Sequence, residues 1–369
     1  MYMSANQHTP IPHYAKSLND DLHFKELRKE VIRVLDQLPS SRIAVAQLKA
    51  IILPVLYFGF YLAALSQTNY LLFLLAYSVM GLLLVIMFLN LIHETCHNTL
   101  FRSKIKNEWY LLLFDIMGAN SYMWKKRHIR LHHIFTNVNG WDSDIEKSKF
   151  LKVHPQNDKK IASKYQHLMV LLYPLFITNW FLVRDFKDYF DRSMIVRKIV
   201  EIPGKEYFKL FFFKLFFIGY LVIIPGFISS FSWMQIVIAL FIMLLSAGFF
   251  ALIVLLPPHV NTSNQFPVTD NKMKLQQSWL MHQLNTTNDV DTSNWFTRHI
   301  MANSNYHIAH HLFPNISYVY AAEISDAIRK YNQKAGLPYR SYPLISTFKS
   351  HYKLIKTNGR TIDIMDEDL

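Results

Sequence analysis

The sequence has few cysteines, no cluster of arginines and no secretory signal peptide, and each of these absences excludes a class of protein. It contains one cysteine, Cys96, so no intramolecular disulfide can form. Its formal net charge is +13, yet the basic residues are not gathered into an Arg-rich arm or interleaved with exposed aromatics, which argues against a nucleic-acid interface. The first 47 residues lack the short apolar run and cleavage site of a secretory signal peptide. We therefore expect a cytoplasmic N-terminus and a basic surface that meets membrane lipid.

Long apolar runs are plentiful, since 51% of the residues are hydrophobic. A helix needs about 20 apolar residues to cross roughly 30 Å of hydrocarbon. Four runs approach or exceed that length: residues 48–65, 70–92, 210–228 and 233–256. They predict an all-α integral membrane protein with four transmembrane helices. A soluble helical bundle is the alternative, because short apolar helices also form buried cores.

The connections between these runs predict their arrangement. Residues 66–69 and 229–232 are uncharged and too short for anything except helical hairpins. Lysine and arginine are abundant instead in the N-terminal segment, in residues 102–209 and after residue 258, which the positive-inside rule assigns to the cytoplasm. We predict two hairpins with a helical cytoplasmic cap over their inner ends. The predicted divisions are an N-terminal segment, 1–47, one domain, 48–338, and a C-terminal tail, 339–369.

The stretch from His93 to His97 reads His-Glu-Thr-Cys-His and fits the H-E-x-x-H pattern of zinc proteases. Residues four apart lie on one face of a helix, so both histidines could bind one metal ion, with Glu94 as general base. A membrane-embedded protease also needs a third ligand, commonly an aspartate followed by glycine, and the sequence contains no Asp-Gly pair. The protease hypothesis would also leave the other six clustered histidines of the chain without a role.

Eight of the 17 histidines fall into three clusters, all in or next to segments assigned to the cytoplasmic side. One zinc ion takes three or four ligands, so eight histidines indicate two metal ions. Imidazole suits iron as well as zinc, and a redox-active pair is the usual reason to build a dinuclear site for oxygen chemistry. The clusters are His93 with His97, His128 with His132 and His133, and His307 with His310 and His311.

The clusters and their surroundings resemble the three histidine boxes of membrane fatty acid desaturases. The segments HETCH, WKKRHIRLHHIFTNVNGWDSD and NYHIAHHLFPNISYVYAAEI look like the acyl-lipid and acyl-CoA branch that includes linoleoyl-CoA desaturases. The resemblance extends over roughly residues 48–338. It implies a non-haem di-iron oxidoreductase that removes two hydrogens from an acyl-CoA or acyl-lipid, using dioxygen and two external electrons.

The resemblance also implies which residues bind the metal and which partner supplies the electrons. The eight clustered histidines correspond to family ligands, and His282 in MHQLNTT occupies the place of a further histidine found before the third box. The third box begins with His307, where front-end desaturases commonly have glutamine. The His-Pro-Gly-Gly signature of a fused cytochrome b5 domain is missing. We therefore expect a separate electron donor, cytochrome b5-like or ferredoxin-like.

Other residues have weaker signals, and no catalytic side chain is predicted beyond the metal ligands. Ligand imidazoles need partners for their second nitrogen, and the nearby candidates are Glu94, Asp142, Asp144, Asn303 and Asn305. A basic run could meet the phosphates of a substrate head group or an anionic lipid surface: Lys125, Lys126, Arg127 and Arg130. Aromatic residues could line an acyl tunnel or anchor the bilayer interface: Trp124, Trp141, Trp180 and Phe181. Histidines without partners at useful intervals are expected to be structural or solvated: His154, His167, His259 and His299.

Two other functions stay open at this point. A di-iron hydroxylase or ketolase acting on a lipid or a carotenoid would use the same ligand pattern, and only its product would differ. A membrane protein that binds or transports metal without catalysis is the remoter alternative. Transport would call for polar residues near mid-membrane, and the four apolar runs hold almost none.

Overall fold

Apolar runs that alternate with short polar connections become long helices joined by tight turns in a computed structural model of the chain. The structure describes residues 9–145, 151–156, 165–175 and 183–360. In these residues four helices are long and apolar enough to cross a membrane, and we call them the first to fourth spans: Ser40–Leu65, Tyr70–Cys96, Gly204–Ile228 and Trp233–Leu255. The prediction of an all-α protein with four such helices is confirmed.

The first and third spans begin before the predicted starts at residues 48 and 210. Their first turns contain basic residues such as Arg42 and Lys205. Long basic side chains can lay their apolar stems along a helix and keep the charge in water. A helix therefore continues beyond the point where its apolar run stops.

The polar connections between spans also start the following helices. Asn69 caps the second span, because its side-chain oxygen accepts from Leu71 N at 2.9 Å and from Leu72 N at 3.3 Å. Ser232 and Gln235 form a reciprocal capping box at the start of the fourth span. Side-chain oxygens satisfy backbone N–H groups that the first turn of a helix leaves without partners.

Shorter helices precede, separate and follow the spans. The α-helices among them are Leu18–Asp36, Lys104–Tyr110, Leu112–Ile116, Ser121–Arg127, Asp185–Phe190, Ile195–Ile199, Trp279–Thr286, Trp295–His299, His307–Leu312, Ala321–Ala335 and Leu344–Asn358. Single π-helical turns occur at Phe88–Ile92, His128–His132 and Gly219–Ile223. Two small parallel sheets pair His13–Tyr14 with Lys274–Leu275 and Asp289–Val290 with Ser341–Tyr342.

The second span lies between the first and the fourth and packs along both. It approaches the fourth span closely at Gly81, where an added Cβ atom would lie 2.0 Å from Met243 O. One turn away, Ser78 Oγ and Ser246 Oγ are 2.8 Å apart. Small residues and interhelical hydrogen bonds are what hold helices together in lipid, where apolar burial against a neighbour gives little advantage.

Segments outside the spans pack into the same structure. Leu18–Asp36, from the N-terminal segment, packs against Ala321–Ala335, and buried Leu27 and Ile328 belong to one apolar cluster. Residues 339–360, which we predict as part of a tail, include the helix Leu344–Asn358. That helix packs against the rest of the structure through buried side chains that include Leu354 and Ile355. Residues 361–369 lie outside the described part of the chain.

We expect Gly81→Ala to destabilise the packing of the second and fourth spans, because its methyl group would overlap Met243 O. Overpacking typically costs about 1–3 kcal/mol. The thermal unfolding midpoint of the detergent-solubilised protein should fall. The matched control is Gly59→Ala in the first span, where nothing lies within 4 Å of the added Cβ. Equal midpoints for the two variants would contradict the close approach.

Candidate metal centre

The first histidine pair lies at the end of the second span. The π turn Phe88–Ile92 directly precedes the last turn, His93–Cys96. A π turn holds one more residue than an α turn, so the residues after it are rotated by about 100° relative to an uninterrupted helix. His93 and His97 are therefore presented on a different face of the span from the one that a regular helix would give them.

The second histidine cluster divides between two directions because of another π turn, His128–His132. His133 N donates to His128 O at 3.0 Å, five residues back along the chain. This brings His128 and His133 to the same side, with Nε2 atoms 3.1 Å apart. The spacing of four between His128 and His132 predicts a shared face on an α-helix, but the two rings come within reach of one metal ion only in a small set that also includes Asp144.

The third cluster lies on the helix His307–Leu312. Neighbouring residues on an α-helix point about 100° apart, and His310 and His311 consequently face different groups. Buried Asp289 fixes the start of this helix, since its Oδ1 accepts from Ile308 N at 2.8 Å. The three boxes thus converge from three separate segments.

The structure gathers histidines into two groups whose ligand atoms all lie within 4.8 Å of one another. The first group is His93, His97, His128, His133 and His310, and the second is His132, His259, His307 and His311. All eight box histidines belong to one group or the other. The chain also places His128, His132 and Asp144 near enough to form a third, overlapping set.

The separations within the groups fit metal coordination. His128 Nε2 lies 3.1 Å from His97 Nε2 and 3.2 Å from His93 Nε2. Imidazole nitrogens about 2.1 Å from one ion lie about 3 Å apart when they are at right angles. The Nε2 atoms of His310 and His311 are buried and have no hydrogen-bond partner among the described residues. A buried polar atom without a partner is costly, and a bound metal ion would satisfy both.

The protonation state of the rings also suits a metal. Burial, and next the nearby histidines, lower the pKa of His133 and of His310 well below the ordinary value. Burial lowers the pKa of His307 to about 3. Burial disfavours the charged form of histidine, and the neutral ring is the form that binds metal. The two groups are therefore compatible with a metal centre.

Two of the five predicted orienting residues contact or approach a ligand ring. Asp142 lies with both carboxylate oxygens 3.1 Å from His132 Nδ1. Asp144 Oδ2 is 3.6 Å from His128 Nδ1. A carboxylate at Nδ1 holds the ring with its Nε2 lone pair free for a metal.

The other three predicted orienting residues connect loops. Glu94 Oε2 accepts from Thr99 Oγ1 at 2.8 Å and from Ser317 Oγ at 2.6 Å. The Nδ2 atoms of Asn303 and Asn305 donate to backbone oxygens, Tyr318 O at 2.9 Å and Thr292 O at 2.8 Å. These contacts differ from the direct contact with a ligand ring that sequence proximity suggests. Glu94 and Asn303 bond instead to residues just after the third box, and Asn305 bonds to the backbone at Thr292.

The ninth histidine differs from the expectation. His282, on the helix Trp279–Thr286, belongs to neither group and packs its ring against Tyr14, with centroids 5.2 Å apart. His259 takes a place in the second group, with its Nε2 2.7 Å from His307 Nε2. The sequence did not indicate His259 as a ligand, because no other histidine lies at a useful interval from it. The signal that could have found it is its position just after the fourth span, on the same side as the three boxes.

The predicted head-group residues do not all lie at the surface. Arg127 is 2% exposed, and its Nε lies 3.0 Å from Asp188 Oδ2, so its charge is used internally. Lys125 and Lys126 are half-buried, and Arg130 is exposed. Arg127 differs from Lys125 and Lys126 because successive residues on the helix Ser121–Arg127 point in different directions, and position 127 faces inward, towards Asp188.

A cavity of about 260 Å³ borders both histidine groups. Trp124 lines it, and its ring stacks on that of His128 at a centroid distance of 5.0 Å. Trp141 packs in a separate apolar cluster, and Trp180 and Phe181 lie outside the described residues. No lysine or arginine is found among the lining residues that the structure describes. Much of the wall is apolar and comes from the inner ends of two spans and from beyond the third box: Val85, Phe88, Leu252, Leu255, Phe313 and Ile316.

Comparisons with known proteins indicate the family of the chain. A model of the family described as fatty acid desaturase matches residues 68–343. An sn-1 linoleoyl-lipid 6-desaturase from Synechocystis is 26% identical over 78% of this chain and 80% of that protein. One of the same name from Arthrospira platensis is 27% identical over 68% of each. An acyl-lipid (8-3)-desaturase from Physcomitrium patens is 28% identical over 67% of this chain, which spans about half, 52%, of that protein.

We expect His259→Ala and His282→Ala to differ in metal content, although each removes one buried imidazole. Loss of His259 should reduce the metal held by the second group, because three ligands of four would remain. His282→Ala should keep the metal content of the wild type. Elemental analysis of the purified proteins, normalised to protein concentration, measures the difference. Metal loss in the His282 variant with full retention in the His259 variant would reverse the assignment.

Proposed function

The chain belongs to the fatty acid desaturase family, and from that membership we propose that it introduces a carbon–carbon double bond into a fatty acyl chain. The observation that carries the proposal is the contact between two groups of histidines and one largely apolar cavity. Such a cavity suits an acyl chain, and the histidines suit a redox metal. The saturated CH2–CH2 unit, dioxygen, two electrons and two protons balance a CH=CH unit and two water molecules.

We propose that each histidine group holds one iron ion, with His259 joining the eight box histidines. When bound, the iron pair together with dioxygen supplies the oxidising power to break unactivated C–H bonds, which side-chain acid–base chemistry does not provide. The imidazoles would contribute nitrogen ligands, and Asp142 would orient the ring of His132 through its contact with Nδ1, whereas Asp144 approaches His128 Nδ1 to 3.6 Å. These contacts support a site that is preorganised before metal binds.

The cavity walls have a positioning role in this proposal. Phe88 and Trp124 border the cavity beside His93 and His128, and Leu252 and Leu255 do so from the fourth span. Apolar walls on both sides would hold methylene groups at a fixed depth and exclude water from the reacting carbons. Placement to within about an ångström is what positioning contributes to catalysis.

The acyl carrier and the electron donor are the partners that the reaction requires. The relatives are named for lipid-linked acyl substrates, and we propose an acyl-lipid or acyl-CoA substrate for this chain. Lys125, Lys126 and Arg130 are the basic residues that could meet an anionic head group, whereas Arg127 is paired internally with Asp188. We propose a separate cytochrome b5-like or ferredoxin-like protein as the source of the two electrons.

We also propose that the metal centre faces the cytoplasm. The basic residues between and beyond the spans support this orientation through the positive-inside rule. The two short connections, 66–69 and 229–232, would then lie on the opposite side of the membrane, and no charged residue occurs in either.

The activity is tested by profiling total fatty acyl chains from cells that express the wild type beside His310→Ala. We expect an additional unsaturated chain with the wild type alone, since His310 lies in the first group and borders the cavity. Mass spectrometry after derivatisation of double bonds measures the product and its position. Cells should also co-express a cytochrome b5 or a ferredoxin, so that electron supply does not limit the result.

Two outcomes would contradict the proposal. A new hydroxylated or keto lipid in place of an unsaturated chain would indicate a hydroxylase or ketolase. Equal amounts of product from the wild type and His310→Ala would show that the activity does not depend on the first histidine group. Membrane extracts probed for both proteins establish that the two were inserted to the same level.

The orientation is tested with single cysteines, because the natural one, Cys96, is buried. Exposed positions are available on both predicted sides: Ser66 and Ser230 in the connections, and Lys106 in the cap. In bacterial cells, a membrane-impermeant maleimide should label Ser66→Cys and Ser230→Cys, and it should label Lys106→Cys only after permeabilisation. Labelling of Lys106→Cys in intact cells would contradict the orientation.

A further inference from the structure

Gln283 lies between the two histidine groups, on the helix Trp279–Thr286. It is 1% exposed. Its Nε2 lies 2.9 Å from His133 O, and its Oε1 lies 3.1 Å from His311 Nδ1. One side chain therefore contacts the backbone of a residue of the first group and the ring of a residue of the second.

The hydrogen-bonding capacity of His133 O and of the Gln283 amide determines which nitrogen of His311 carries the proton. A backbone carbonyl can only accept a hydrogen bond, so the amide NH2 of Gln283 must face His133 O. The amide oxygen then faces His311 Nδ1, and an oxygen of this kind can only accept. His311 Nδ1 must therefore carry the proton, which leaves the Nε2 of the neutral ring as a bare lone pair.

Thr136 supports the same assignment. Its hydroxyl donates its single proton to His132 O at 2.7 Å. With the proton committed there, Thr136 Oγ1 can only accept from His311 Nδ1, which lies 3.3 Å away. Both groups around Nδ1 are therefore acceptors, and His311 Nε2, on the opposite edge of the ring, has no hydrogen-bond partner among the described residues.

We propose that Gln283 is a positioning residue that fixes the tautomer and orientation of His311 and so prepares the second histidine group for metal. Its role matches that of Asp142, whose carboxylate lies 3.1 Å from His132 Nδ1. An amide performs the task without adding a negative charge. Because Gln283 also donates to His133 O, it links His311 of the second group to the backbone of His133 in the first group. The inference rests on the proposed metal centre.

The experiment compares iron retention in the wild type, Gln283→Met, Gln283→Glu and Gln277→Met. Methionine keeps the approximate volume of glutamine but can neither donate to His133 O nor accept from His311. Glutamate keeps an acceptor for His311 Nδ1 and loses the donor to His133 O. Gln277 is the matched control, because its amide contacts Gln265 and Asn285, away from both histidine groups.

Each purified protein is loaded anaerobically with ferrous iron, and its loss to a ferrous chelator is followed with time. Removal of a residue that orients a ligand typically weakens metal binding about 10- to 100-fold, so Gln283→Met should release iron of the second group correspondingly faster. Gln283→Glu should retain iron nearly as the wild type does, and Gln277→Met should equal the wild type. Size-exclusion profiles in detergent confirm that the variants are folded.

The outcomes separate this inference from the proposed function. Equal release from the wild type and Gln283→Met would overturn the role of Gln283 while leaving the metal centre in place. Release from Gln283→Glu as fast as from Gln283→Met would also overturn it, since packing or the tie to His133 O would then explain the effect. A wild type that binds no iron would overturn the proposed metal centre and this inference with it.

Discussion

A buried imidazole that binds metal must keep one nitrogen bare, and the proposed centre requires this of nine rings whose ligand atoms lie close together in two groups. Every ring has to be neutral, and its second nitrogen must find a partner or pay the cost of burial. Burial meets the first requirement, because it is the largest cause of the lowered pKa of rings such as His133 and His311. Asp142 and Gln283 meet the second for two of the rings. The surrounding polar structure is arranged around this constraint.

Regular helices alone do not satisfy that geometry. The π turns at Phe88–Ile92 and His128–His132 adjoin or contain two of the boxes, and each changes the direction of the histidines that follow. π turns are unstable relative to α turns and are often found at functional sites. The benefit here is that one short segment can serve both groups, with His128 and His133 in the first and His132 in the second.

The parts of the structure that sequence patterns predicted are those governed by simple periodicity. Long apolar runs identified four spans, and clustered histidines identified eight members of the two groups. Division of those histidines between the groups could not be predicted, since a π turn leaves no clear mark in the sequence. His282 was favoured because the family resemblance implies a further histidine before the third box. The structure instead places His259, which has no partner at a useful interval in the sequence, in the second group. Arg127 appeared to be a surface charge because its partner, Asp188, is distant in sequence.

Buried carboxylates anchor all three boxes from outside the histidine groups. Glu94, within the first box, accepts from Ser317, which follows the third. Asp188 pairs with Arg127, the residue before the second box, and Asp289 accepts from Ile308 N at the start of the third-box helix. A buried ion pair often adds little net stability, because desolvation offsets much of its attraction. Its directional contacts can still select one arrangement of the chain. We therefore regard these carboxylates as the means by which three distant segments keep a common geometry.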